Sequence, residues 1–136
     1  MQVSVEIPAE AGAVATARDI VAGAVVEATK TEHRIDDLRL LTSEIVTNAL
    51  RHAGLKAGES IALAVEASPG RVRVEVADPG PGFDPDSLEE PTPERVAGFG
   101  LFLVRKLADR WGVRRDHLNR VWFELSLQPV GDAPQH

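Results

Sequence analysis

Apolar residues recur along this chain at two periods, and the changes of period mark its elements. In "QVSVEI", residues 2–7, Val3, Val5 and Ile7 fall on one side of an alternating pattern, which is strand period, and Pro8 ends it. From Ala9 to Lys30 the chain is rich in Ala and Val and predicts a helix, weakened by Gly12 and Gly23. The clearest helix is "RIDDLRLLTSEIVTNALRHAG", in which Ile35, Leu38, Thr42, Ile45, Ala49 and His52 keep the three-four spacing. Gly54 stands where a C-terminal cap belongs. "SIALAVEASPGRVRVEVAD" predicts a hairpin, with Ile61, Leu63 and Val65 facing one way and Val72, Val74 and Val76 pairing with them. Pro69 and Gly70 suit the central positions of a type II turn, where Gly supplies a positive φ.

Residues 79–97 break the pattern with prolines at 79, 81, 85, 91 and 93. A loop of this length inside a compact domain is usually a lid, a binding loop or a disordered segment. "LFLVRKLADRW" then predicts a helix, with Leu101, Val104, Ala108 and Trp111 in one stripe, and "RVWFELSL" a strand alternating Val121, Phe123, Leu125 and Leu127. A short additional strand is placed at 113–116. The order β-α-α-β-β-loop-α-β, with a hairpin in the middle, predicts an α+β two-layer sandwich. Its sheet is expected to be mixed but mostly antiparallel, with the helices on one face. One domain is expected over residues 1–128, with 129–136 a disordered C-terminal tail.

Composition narrows the function classes. The 136 residues suit a single core, and with only 4% aromatic residues that core must be aliphatic. There is no Cys, so disulfides and thiolate metal sites are excluded. The start lacks a signal-peptide pattern and no apolar run reaches the ~18 residues of a membrane span, so a cytoplasmic protein without a membrane partner is expected. A net charge of −6 disfavours nucleic acid. The charge is uneven. Residues 105–120 carry Arg105, Lys106, Arg110, Arg114, Arg115 and Arg120 against Asp109 and Asp116, a local +4 that leaves −10 elsewhere. Such a run is either a solvated surface or a docking surface for an acidic partner or phosphates.

Three stretches could carry chemistry. In "SEIVTNALRHA", Glu44 and Asn48 stand four apart on one helix face. A carboxylate that accepts a proton beside an amide oxygen that helps hold a hard cation is one use for that pair; a solvated polar stripe is the other. In "DPGPG", Asp78 continues the inward face of Val72, Val74 and Val76, so its carboxylate needs a donor, and an adenine amino group is one. Gly80 and Gly82 let backbone approach a flat ring or phosphates, whereas a plain Asp-Pro-Gly turn bonds its own backbone. In "GFGL", Gly98 and Gly100 precede a helix, whose first N–H groups attract phosphate. A flexible joint reads the same way. Neither a Rossmann fingerprint nor a phosphate-binding loop of Walker type is present.

Together, in this order and in these settings, the three resemble the boxes of the GHKL family of ATP-binding domains shared by DNA gyrase, MutL and sensor histidine kinases. "EIVTNALRHA" resembles the N box, "DPGPG" the adenine box and "GFGL" the second glycine box. "LTSEIVTNALRHA", "GFGLFLVRKLADRWGV" and "VWFEL" are most similar to the bacterial anti-sigma-factor serine kinases of the RsbW and SpoIIAB type, and the resemblance spans about residues 1–128.

The resemblance implies the Bergerat-type ATP-binding fold and a site. Glu44 takes the position of the general base and Asn48 that of the Mg²⁺ ligand. Asp78 takes the adenine-binding position, and Gly80 and Gly82 shape its pocket. His52 and Ala53, at the end of the N box, and Gly98, Phe99, Gly100 and Leu101, at the glycine box, complete the nucleotide-binding set, with residues 83–97 as an ATP lid. Phe99 stands where many relatives carry Arg or Leu, and "DHLNRVWFEL" lacks the Lys-Thr-Val pattern whose hydroxyl supports the adenine-binding Asp. Asn119, Arg120 or water would have to substitute. The function implied is a magnesium-ATP-dependent protein serine/threonine kinase. Its partners would be an anti-anti-sigma protein of the STAS type, which it phosphorylates, and a sigma factor, which it sequesters, with a homodimer as the usual assembly. A nucleotide-dependent binding module with little catalysis is the alternative. A detached histidine-kinase domain, a zinc site built from the scattered His33, His52, His117 and His136, and a Ser-His-Asp hydrolase fit less well.

Overall fold

The computed structural model of the chain describes residues 1–30, 33–52, 58–79 and 101–127. Strand β1, Gln2–Pro8, buries Ile7 and partly buries Val3 and Val5, so the alternation sets its faces. It pairs antiparallel with β2, Ser60–Ser68, placing Val3 opposite Val65, Val5 opposite Leu63 and Ile7 opposite Ile61. β3, Arg71–Asp78, returns beside β2 and matches Val76 with Leu63 and Val74 with Val65. The left-handed φ values among the described glycines fall at Gly12 (96°) and Gly58 (92°), not at Gly70. The hairpin turn is therefore not the type II form expected from Pro69-Gly70; Pro at the first central position serves a type I turn equally well.

β4, Arg110–Arg115, and β5, Asn119–Ser126, complete a five-stranded sheet in the order β1-β2-β3-β5-β4. All four described pairings are antiparallel, in line with the mostly antiparallel sheet expected. Helices α1 (Ala13–Thr29) and α2 (Ile35–His52) pack on each other; α1 lies against β1 and β2, α2 against β3 and β5. The short α3, Phe102–Leu107, packs on α2. The result is the two-layer α+β sandwich. Its core is aliphatic except for the wholly buried Phe123 and gathers Leu38, Leu41, Ile45, Ile61, Leu63 and Leu125.

α1 starts later than its composition predicts because Ala9 still donates to the Glu59 carbonyl, and the left-handed Gly12 then opens the helix. The helix predicted through Trp111 is cut short. Ala108 is already extended (ψ 144°), and Asp109 N–H donates to the Glu124 carbonyl. From there the chain is in the sheet, with Trp111 opposite Phe123. Leu101, Val104, Ala108 and Trp111 do share the core-facing side, but only Val104 is within the helix: Leu101 and Ala108 flank it and Trp111 comes from the strand. The expected strand at 113–116 is the second half of β4, which begins at Arg110. The tail beyond Leu127 lies outside the described residues.

Candidate functional site

α2 presents the first two candidate residues. Asp36 and Asp37 in its first turn suit the positive end of the helix dipole. Asn48 is 4% exposed, and its Oδ1 meets no hydrogen-bond partner among the described residues. An unpaired buried carbonyl costs about 1–3 kcal/mol, so its retention on the inner face is a liability unless something binds it. Thr42 Oγ1, wholly buried on the same helix, is in the same condition. One turn before Asn48, Glu44 is partly buried, and burial pushes its carboxyl above the ordinary range, a shift that suits a proton acceptor.

The third candidate stands at the end of β3. Asp78 is 6% exposed and faces inward, as the strand period predicts. Its cross-strand neighbour is Asn119, the first residue of β5, and Asn119 Nδ2 donates to Asp78 Oδ1 at 3.2 Å. Arg120 points to the opposite face of the sheet, where its guanidinium holds Glu75 and Asp116, each at 3.2 Å. Asn119 therefore orients the carboxylate, and the period of two on β5 is the sequence signal that separates it from Arg120. Leu101 is buried immediately before α3, and its carbonyl accepts from Arg105 N–H at 2.9 Å. α2 touches both β3 and α3, so it is the element on which the described parts of the three motifs converge.

Ala53, Gly80, Gly82, Gly98, Phe99, Gly100 and the lid at 83–97 lie outside the described residues, as does the side chain of His52.

One residue escaped the sequence reading. Arg34, with a left-handed φ of 61°, precedes α2 and accepts from Leu38 N–H. Its side chain binds Asp37 (3.2 Å), Asp109 (3.4 Å), the Ser126 carbonyl (3.3 Å) and the Leu107 carbonyl (3.2 Å). It ties the end of α3 and the end of β5 to the root of α2. A lone Arg before a helix carries no signal for contacts so distant in sequence.

The fit of a magnesium ion can be judged from these groups. Among the described residues no three His, Cys, Asp or Glu side chains converge on a cation. Mg²⁺ does not need such a cage: it keeps several waters and binds through few protein oxygens plus substrate phosphates. The orphaned Asn48 oxygen fits that demand.

Residues 7–125 match the histidine kinase-like ATPase domain family, and the chain belongs to it; ATP binding is the activity that family implies. Among curated relatives, the serine-protein kinase RsbW of Oceanobacillus iheyensis is 30% identical over 119 residues, which cover 79% of this chain and 75% of that one. The serine-protein kinase RsbW of Staphylococcus epidermidis is 29% identical over 126 residues, covering 84% and 79%. In fold, the chain matches the crystal structure of the RsbU and RsbW domains of Rv1364c from Mycobacterium tuberculosis with a TM-score of 0.68 at 19% identity. That match covers 95% of this chain but only 33% of the other. It also matches a chain of the SiaB–SiaC complex from Pseudomonas aeruginosa, with a TM-score of 0.55 at 13% identity over 91% of this chain and 89% of that one. No described helix is long and apolar enough to cross a membrane.

Proposed function

We propose that this protein is an ATP-dependent serine/threonine kinase that phosphorylates an anti-anti-sigma protein of the STAS type and sequesters a sigma factor. The observation that carries the reading is the pairing, one helical turn apart, of a buried carbonyl oxygen without a partner on Asn48 and a carboxyl raised by burial on Glu44. The kinases among its relatives support it. Asp78, held by Asn119, receives the adenine amino group. The Asn48 oxygen would hold a divalent ion, which would supply charge neutralisation during transfer. The backbone around Gly98, Phe99, Gly100 and Leu101 flanks the phosphates, Gly80 and Gly82 admit the ring, and His52 and Ala53 close the end of the N box; these roles follow the GHKL resemblance. The partner's serine oxygen forms its bond to the γ-phosphorus while the bond to the ADP oxygen breaks, and Glu44 takes the hydroxyl proton. Transfer of this kind depends on positioning and on charge compensation. The role belongs to the cytoplasm and is compatible with a homodimer.

The test is transfer of label from γ-labelled ATP to a STAS-type protein. Glu44→Ala should retain nucleotide binding and lower transfer by about 10²–10⁴-fold. Magnesium-dependent ATP binding with no transfer by the unaltered protein would instead establish a nucleotide-gated binding module.

A further inference from the structure

β4 is an edge strand: within the sheet it pairs with β5, and no described strand pairs with its other side. A bare edge offers a row of unpaired N–H and C=O groups to another chain. The side chains here alternate between basic and apolar. On the open face of the sheet lie Arg110 and Arg114, with side chains 67% and 61% exposed, flanking Gly112. On the helix face lie Trp111 and Val113, only partly covered by the core, and beyond them the exposed Arg115. Arg105 and Lys106, exposed in the last turn of α3, stand just before the strand.

The acids in this segment are already engaged. Asp109 accepts from Arg34 and from Ser126 N–H, and Asp116 from Arg120 and Leu118 N–H. Arg110 reaches Glu124 only at 3.8 Å and Arg114 reaches Asp116 at 3.9 Å, whereas Arg105, Lys106 and Arg115 make no ion pair with any described residue. The edge therefore carries a surplus of positive charge.

We propose that the outer edge of β4 is a docking site for an extended acidic segment of a partner protein, which adds to the sheet as a sixth strand. Side chains on neighbouring strands face each other in register, so β4 dictates the partner's pattern. Acids oppose Arg110 and Arg114, apolar residues oppose Trp111 and Val113, and a residue that fits beside the Trp122 indole opposes Gly112. The motif is acid, apolar, a residue that clears the Trp122 indole, apolar, acid, and it reads the same in both directions.

A second copy fits less well. Two β4 edges would bring arginines together. The other edge, β1, read backwards from Glu6 to Gln2, has the right alternation but a single acid against this run of cations. The proposal involves no nucleotide, so it stands or falls separately from phosphoryl transfer.

The chain's two tryptophans, Trp111 and Trp122, both lie in the β4–β5 hairpin, so their fluorescence reports directly on the edge. The probe is a capped synthetic peptide carrying glutamate, valine, threonine, valine and glutamate in that order. A second version has lysine in place of glutamate, and a third has alternate backbone amides N-methylated on the pairing side. The first should bind and perturb the emission; the other two should not. Arg110→Glu with Arg114→Glu should weaken binding about tenfold or more, because two exposed ion pairs are removed and two repulsions added. The single Arg115→Ala variant, with the same melting temperature as the parent, should weaken it less. Equal binding of the N-methylated peptide would overturn strand addition in favour of plain charge attraction. Undiminished binding to the charge-reversed protein, no binding at all, or concentration-dependent self-association that the peptide cannot reverse would overturn the assignment of the partner.

Discussion

The two faces of the same sheet handle polar groups in opposite ways. On the open face every buried or half-buried charge has company. Glu124 lies under Arg71, Arg73 and Arg110 at 3.6, 3.2 and 3.8 Å, Glu75 is held by Arg73 and Arg120, and the Arg73 guanidinium stacks 4.0 Å above the Trp122 ring. The indole in turn lies over Gly112, so close that a Cβ there would stand 2.8 Å from its ring atoms. The helix-facing side is apolar, and α2 above it leaves two wholly or nearly buried oxygens, on Thr42 and Asn48, with no partner. Glu124 Oε1 on the open face also lacks a hydrogen bond among the described residues, but arginines 3.6 and 3.8 Å away compensate its charge; the Thr42 and Asn48 oxygens have no such compensation among the described residues.

This contrast can be tested by substitution, beginning with the helix-facing layer. Phe123 is the largest wholly buried side chain, and Phe123→Ala should cost about 3–5 kcal/mol in urea unfolding. Gly112→Ala on the open face should cost about 1–3 kcal/mol, because the Trp122 ring must move from under Arg73. Its signature is an altered tryptophan emission in the folded protein. Asn48→Leu should do the reverse. Removing an unpaired buried carbonyl at similar volume should stabilise the nucleotide-free fold by about 1 kcal/mol while abolishing heat-stabilisation by magnesium-ATP. A loss of stability would mean that Asn48 serves the fold, and the contrast between the faces would fail.

The smallest effect concerns pH. Burial raises the Glu44 carboxyl, so across that window the native state binds more protons than the unfolded chain. Its contribution favours folding below the unfolded value and is lost as pH rises through the folded one. Glu44→Gln should therefore raise the melting temperature near neutrality, on the order of 1 °C, and leave it unchanged in acid. On the open face the sign inverts. Asp116 is lowered, first by the Leu118 N–H and also by Arg120, so its contribution is present above the unfolded carboxylate value and disappears as pH falls through the folded one. Melting curves of Asp116→Asn against pH should converge with the parent in acid.

Much of this was legible in the sequence because it depends on short periods. The alternation in β3 placed Asp78 on the inner side two residues after Val76, and the three-four spacing put Glu44 and Asn48 on one face of α2. What the sequence hid depends on contacts between distant residues. Trp111 continues a helical stripe on paper, yet pairing with Phe123 draws it into a strand, since the competing ladder is formed by residues further along the chain. The choice of Asn119 over Arg120 required knowing which residue of β5 lies across from Asp78. The Arg34 contacts span from 3 to 92 positions, which no local pattern encodes.

That last residue has a mechanical consequence. A guanidinium is a rigid fork, and here its prongs hold the Leu107 carbonyl, Asp109 and the Ser126 carbonyl while its Nε grips Asp37. Beside the direct packing of α3 on α2, this planar strut couples the end of α3 to the foot of α2, and a lysine in its place, with a single point of attachment, would loosen that coupling.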